Sequence, residues 1–448
     1  MNNIDRTIVN KINKKIYENK DYFDFVGVDT KDYTHRYHSY PAMMIPMIPR
    51  SLLDMTLEEV NISNLYDPFC GSGTTAVEGV LRGLEVFTND INPLSTFMAK
   101  VKTTPIEPDS LKLAFEKLSY ELGELELSYN AGNYTIENLP TFKNIDYWFK
   151  EEVIIKLQMI KESILKIENI AIKEFFLAAF SDTVRYVSNS RNSEFKLYRL
   201  EEEKLKKWNP NVFNEFKEFS KRNIDGNRAF YKEIGKRENR KHIYNLSSMN
   251  LSDRIPANSF DLLITSPPYG DSKTTVAYGQ FSRLSLQWLN LEMEMEVNQL
   301  DNVMLGGKVD KELNVEETLN SLQSQTLIEI YNDINENDTN EKKKRGLEVL
   351  QFFKDIDKTL LEIARVMKNG SYQYWVVANR KVKNIDIPLD QIIVELFSKY
   401  KIIFIERFYR NIPNKKMPKT NSPTNKKGKK VSTMNKEIIL MFRKEENN

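Results

Sequence analysis

The stretch that most limits how this chain can fold is Leu65-Tyr66-Asp67-Pro68-Phe69-Cys70-Gly71-Ser72-Gly73-Thr74-Thr75. A strand from Asn64 to Phe69 runs into two glycines, and a helix follows through Ala76-Val77-Glu78-Gly79-Val80-Leu81. Gly71 and Gly73 let the backbone turn tightly and approach a ligand with no Cβ in the way. Thr74 and Thr75 cap the helix start, where free N–H groups attract an anion. A second strand, Leu84 to Asp90, ends in an acid about twenty residues past the glycines. An acid at that place accepts hydrogen bonds from a ribose diol. No third glycine completes a dinucleotide fingerprint, and no Lys-Ser/Thr pair completes a P-loop. The plain alternative is a tight strand–helix turn that binds nothing.

A second stretch bears on that choice. Phe260-Asp261-Leu262-Leu263-Ile264 reads as a buried parallel strand, and Thr265-Ser266-Pro267-Pro268-Tyr269-Gly270 follows it. Two prolines remove two backbone donors and fix two φ angles, so the turn is stiff. Open α/β sheets place their ligands at the carboxyl ends of their strands. A Pro-Pro pair alone is common in ordinary loops. The glycine loop and this turn together, each after a strand, resemble motifs of the amino-methyltransferases that use S-adenosyl-L-methionine (SAM) to methylate exocyclic nitrogens of DNA bases.

The resemblance covers residues 35–105 and 240–445 and implies an α/β fold. That fold is Rossmann-like, of the class I SAM methyltransferase type: a seven-stranded, mostly parallel sheet, here with a helical insertion after the second strand. It implies a cofactor site of Asp67, Pro68, Phe69, Gly71, Ser72, Gly73, Thr74, Thr75, Asp90 and Ile91, with Asp67 placed for the SAM ammonium and Asp90 for the ribose. An upstream segment, His38-Ser39-Tyr40-Pro41-Ala42, is similar to one that packs over the methionine end of SAM in the family, which adds His38, Tyr40 and Pro41. In the family a third strand often ends in an acid for the SAM adenine. Here Ile243-Tyr244-Asn245-Leu246 is followed by Ser247 and Ser248, so Ser248 takes that place. Ser266 and the Pro267 carbonyl would accept hydrogens from the target amine, with Pro268 stiffening the turn. Tyr269 would stack on a base flipped out of double-stranded DNA. The family more often carries Asp or Asn at position 266 for adenine N6 and Ser for cytosine N4, so N4-methylcytosine is the expected product.

The remaining sequence bounds the biology. The 448 residues allow three parts: 1–104 with the cofactor half, a helical insertion at 105–240, and the catalytic half at 241–448. Residues 291–345 are acidic and Asn-rich and predict a mobile excursion. Net charge is only +2, but basic residues cluster. Lys415, Lys416 and Lys419 lie in a late lysine-rich loop, and Arg185, Ser190, Arg191, Lys196 and Arg199 interleave with Tyr in the insertion. Such side chains contact phosphates and base edges, or form a solvated polar loop. One cysteine and three histidines exclude an internal disulfide and argue against a metal site; Cys70 reads as structural. No apolar run suits a membrane span and no signal segment is visible, so a cytoplasmic protein is expected. A cognate restriction endonuclease is the expected partner of such an enzyme. An RNA guanine-N2 methyltransferase can show similar motifs, but only about sixty residues precede the first strand, too few for an RNA-binding domain. A non-catalytic specificity subunit would not need both motifs intact.

Overall fold

The computed structural model describes residues 1–134, 136, 138–192, 194–235, 237–251, 254–272, 274–293, 295–336, 340–413, 420–421, 431–432 and 436–446. Seven strands form the central sheet: β1 (Asn64–Asp67), β2 (Glu85–Asp90), β3 (Lys241–Asn245), β4 (Phe260–Thr265), β5 (Met367–Val377), β6 (Ile402–Asn411) and β7 (Lys436–Lys444). Their spatial order is β3-β2-β1-β4-β5-β7-β6. The first five pair in parallel, and β7 runs antiparallel between β5 and β6. The sheet is therefore the mixed, mostly parallel α/β sheet expected from the motifs.

Period-two alternation assigns each strand residue to one of two covered faces. Leu65, Leu262, Ile264, Tyr374, Val376 and Ile439 pack under the N-terminal helices Asn3–Glu18 and Met47–Leu57, through Ile8, Ile12, Ile48 and Leu52. Their neighbours Tyr66, Leu263, Trp375, Val377 and Leu440 pack on the other face against Phe353, Ile356, Leu360 and Ile363, and against Ile392, Ile393 and Leu396 of helix Leu389–Ser398. Both faces are covered, which is why these strands read as continuous apolar runs. Asn369-Gly370, which reads as a helix stop, lies inside β5 instead. Gly370 takes φ +76° in an irregular stretch before the regular pairing begins at Tyr372.

Between β2 and β3 the insertion builds a core of its own. Helices Pro108–Asn130, Glu151–Leu165, Ile170–Val187 and Val212–Ile234 bury Leu118, Leu157, Ile160, Phe175, Phe176, Phe180 and Phe216 together. Helix Tyr278–Leu289, which follows the Pro-Pro turn, joins that core through Leu284, Leu286 and Trp288. Trp288 is fully buried, with edge-on contacts to Phe142, Phe149 and Phe180.

Part of the stretch 291–345, for which composition predicts a mobile excursion, is docked helix. Its described residues include helices Val315–Leu322 and Gln325–Asn335. Leu322, Leu327, Ile330 and Ile334 are buried in the core beside β5. The apolar positions are sparse but fall on one helical face, and an average over many Asn and acidic residues hides such a stripe.

Candidate active site

The strand order makes the site. The chain adds strands outward from β1 to β3 and then restarts beside β1 with β4, so a crevice opens at the carboxyl ends of β1 and β4. The glycine loop leaves β1 and the Pro-Pro turn leaves β4, so residues two hundred positions apart meet there. Thr265 Oγ1 donates to Asp67 Oδ1 at 2.6 Å, tying the two loops directly. The crevice is open to solvent at its mouth. Asp67, Phe69, Gly71, Ser72, Thr74, Thr75, Asp90 and Ile91 line one side, and Ser266 and Pro268 line the other.

Asp67 also accepts from the Phe69 N–H at 3.1 Å, and Asp90 accepts from the N–H groups of Gly71 at 3.0 Å and Asn92 at 2.9 Å. The Asp90 bonds fix the glycine loop to the end of β2. Gly73 has φ +85°, and a Cβ there would lie 2.8 Å from the backbone of Ala99, so only glycine fits. Neither acid has an ion pair among the described residues, and burial pushes both carboxyls up to about 6. Two buried acids without a cation are costly unless a ligand brings positive charge or hydroxyl donors. The threonine cap expected for this helix does not form: helix Thr74–Leu81 has Gly73 at its N-cap and no side chain capping its first N–H groups. This donor set fits the ammonium, ribose and carboxylate of SAM.

The Pro-Pro turn is braced by Arg380. Gly270 packs so closely on the Arg380 guanidinium that a Cβ would come within 2.5 Å of its central carbon. Arg380 pairs with Asp271 at 3.1 Å, and both are buried. Ser266 Oγ lies 3.1 Å from the Tyr269 hydroxyl, which donates to Glu437 at 3.0 Å.

Residues 33–120 match the profile of the RMKL-like methyltransferase domain. The whole chain is 53% identical over 449 aligned residues to the type II methyltransferase M.MvaI of Kocuria varians, covering 99% of this chain and 98% of that one. The chain belongs to the type II methyltransferases. Among solved structures, the rRNA methyltransferase aviRa of Streptomyces viridochromogenes aligns over 91% of this chain and 88% of its own, at 10% identity. Its TM-score of 0.29 is too low for that likeness to carry any argument.

Within this type II methyltransferase, the expected site residues divide into three groups. Tyr40, Pro41 and Ser248 reach the crevice wall beside the glycine loop. The Tyr40 hydroxyl bonds Ser95 at 2.6 Å and accepts from Asn92 at 3.0 Å, and its ring stacks on Tyr278. Ser248 accepts from Asn89 at 3.1 Å and also donates to the Pro68 carbonyl. A second group braces the site without lining it. Pro68 offers that carbonyl, Gly73 packs on Ala99, and Pro267 is buried in the turn. His38 is buried too. Its Nδ1–H donates to the Ser39 carbonyl at 2.7 Å and its Nε2 accepts from Ser181 at 2.9 Å, so it joins the lead-in segment to the insertion rather than facing the crevice. Tyr269 does not line the crevice either; its hydroxyl is engaged behind Ser266.

The residues expected at a DNA surface form the third group. Arg185 is corrected by the structure: it is only 4% exposed. It donates to the Glu194 carbonyl at 2.7 Å and lies over the Phe281 ring at 4.3 Å. Ser190 is buried against Ser188 at 2.7 Å. These two polar side chains brace the insertion internally. Arg191, Lys196 and Arg199 stay on the partly exposed loop, with Arg191 paired to Glu201 at 3.1 Å and Arg199 stacked on Tyr147 at 4.4 Å. Lys415, Lys416 and Lys419 lie outside the described residues.

Sequence reasoning missed part of the wall. Met43, Tyr278 and the segment Val303-Met304-Leu305 line the crevice. That segment is set by Asp301, which accepts from the Gly279 N–H at 2.9 Å, and by Asp355, which accepts from the Gly306 N–H at 3.0 Å. No local motif marks these residues. Asn92 carried a signal, as the cap before Pro93, but its bond to Ser282 at 2.7 Å is a product of the tertiary fold. Among the described residues, no helix is long and apolar enough to cross a membrane. No His, Cys, Asp and Glu group there could hold a metal ion.

Proposed function

We propose that this enzyme methylates an exocyclic amine of a base in double-stranded DNA, N4 of cytosine, as the modification partner of a restriction endonuclease. The carrying observation is that Ser266 and the acids Asp67 and Asp90 share one crevice, joined through the Thr265–Asp67 bond. The 53% identity to a type II methyltransferase supports the restriction–modification setting.

SAM, bound along Asp67, the glycine loop and Asp90, supplies a methyl group on cationic sulfur. The lone pair of an exocyclic base amine is delocalised into the ring, so the amine is a poor nucleophile. Ser266 Oγ and the Pro267 carbonyl accept its two hydrogens, draw the nitrogen toward tetrahedral geometry and free that lone pair. Placement then contributes more than acid–base help. The stiff Pro-Pro turn holds Ser266 at the crevice, and the Pro267 carbonyl, next in the chain, is the second proposed acceptor. The choice of cytosine over adenine rests on the family the motifs resemble, in which Ser at the place of Ser266 more often goes with cytosine N4. The base reaches the site only when flipped from the duplex. The loop carrying Arg191, Lys196 and Arg199, together with Lys415, Lys416 and Lys419, is the proposed DNA contact.

Mass spectrometry of nucleosides from DNA of cells expressing the chain tests this reading. N4-methylcytosine is the expected product. N6-methyladenine alone would replace the base assignment and leave the amine chemistry standing. Modified DNA lacking both would refute the reading.

A further inference from the structure

We propose that Glu437, on the antiparallel strand β7, is a positioning residue that acts through Tyr269 to hold the Ser266 hydroxyl as a hydrogen-bond acceptor. This rests on the reading of Ser266 as an acceptor for the target amine. A serine hydroxyl can donate or accept, and it rotates to suit its neighbours. In the reaction proposed, only acceptance helps, because a serine that donates into the crevice meets an amine whose hydrogens it must instead receive. Something must turn its proton away from the crevice.

The structure supplies a one-way chain. At its far end, Arg410 donates through Nη1 to Glu437 Oε2 at 2.5 Å. Arg410 is itself held by a bond from Nε to the Phe23 carbonyl at 2.9 Å and is 5% exposed. An ionised carboxylate paired with arginine accepts and has no proton to donate. The Tyr269 hydroxyl must therefore donate to Glu437 Oε1, 3.0 Å away. Burial holds that phenol's pKa well above its usual range, so it keeps the proton it donates. With its only hydrogen committed, the Tyr269 oxygen can only accept at its 3.1 Å contact with Ser266, so Ser266 is the donor there. Its one hydrogen then points inward to Tyr269, and its lone pairs remain for the crevice that Ser266 lines.

The test uses three variants of the full chain: Tyr269→Phe, Glu437→Gln and the double. Tyr269→Phe removes the hydroxyl and keeps the ring, so a stacking role survives it. Glu437→Gln replaces an obligate acceptor with a group that can donate or accept. Single-turnover methyl transfer from SAM to unmethylated bacterial genomic DNA is read alongside SAM affinity by calorimetry. Each single variant should slow transfer roughly 10-fold, the weight of a hydrogen bond to a charged group, with SAM affinity unchanged. The double variant should be no slower than the slower single, because both changes cut the same chain. A Tyr269→Phe enzyme at the wild-type rate, or single effects that multiply in the double, would overturn the proposal. If Glu437→Gln does not fold, Tyr269→Phe decides alone, since it leaves the Glu437–Arg410 pair intact. Ser266→Ala separates the two layers. A fully active Ser266→Ala enzyme removes the underlying reading, whereas a slow Ser266→Ala beside a wild-type Tyr269→Phe removes only the positioning role.

Discussion

Two polar clusters in this chain are made of similar residues and behave differently. At the carboxyl edge of the sheet, Asp67, Asp90 and Ser266 border an open crevice, and the two acids have no cation among the described residues. In the insertion, Arg185, Ser188 and Ser190 are buried, and they are bonded to one another's loop and to helix Tyr278–Leu289. The first cluster keeps bonding capacity for a ligand, and the second spends it on holding the insertion together. Burial and polarity alone do not mark a site; unspent capacity facing a cavity does.

The difference can be broken from either side. The largest effect is expected at the crevice. Ser266→Ala should slow methyl transfer on the order of 100-fold, the cost of one well-placed transition-state acceptor, while SAM affinity stays intact; single-turnover kinetics with calorimetry reads both. Asp90→Ala should weaken SAM binding by roughly tenfold or more, since hydrogen bonds to a charged group are worth about 1.5–3 kcal/mol. Unchanged affinity would take Asp90 out of the cofactor site. In the insertion the same experiment should read as stability. Arg185→Ala should lower unfolding free energy by about 1–3 kcal/mol, as partners left unsatisfied in the interior do. Arg199→Ala, on the exposed loop, should leave stability within about 0.5 kcal/mol and flatten the salt dependence of DNA binding by roughly one unit if it meets a phosphate. A stable Arg185→Ala protein with weakened DNA binding would reverse the two assignments.

The remaining effect is a pH dependence. Burial raises Asp67 and Asp90 to about 6 in the free protein. The folded state therefore holds protons that the unfolded chain has released between about pH 4 and pH 6, and these acids add stability at the low end of that window and lose it as pH rises through it. The SAM ammonium at Asp67 and the ribose hydroxyl donors at Asp90 are both held best by ionised carboxylates, so SAM affinity should rise across the same window and level off above it. The rise is at most about tenfold per pH unit for each proton released. Because the two acids interact, the midpoints belong to the pair. Calorimetry at several pH values measures it, and a flat profile would mean that neither acid contacts the ligand.

The sheet and half of the crevice were legible because their constraints are local. A glycine that must take φ +85° against Ala99, an acid ending β2 and two prolines ending β4 each show in a few adjacent residues. The rest depends on long-range placement. Tyr278 and Met304 reach the crevice because helix Tyr278–Leu289 and Asp301 are locked together. Glu437 looks like any charged residue at a strand start until β7 inserts between β5 and β6. The insertion was misread where hydroxyls and arginine suggested a surface, because sequence does not say whether polar side chains face water or one another. Its low-apolar counterpart at 291–345 was misread for the opposite reason, since a few well-spaced leucines and isoleucines suffice to dock a helix.

Helix Tyr278–Leu289 begins eight residues after the Pro-Pro turn, yet its Trp288 is sealed among Phe142, Phe149 and Phe180 of the insertion. The insertion is thus a discontinuous module. Recombination that exchanges only residues 105–240 between relatives would strand this helix in a foreign core. A viable exchange must carry both segments, so the unit that descent can shuffle here is a pair of separated pieces rather than one continuous block.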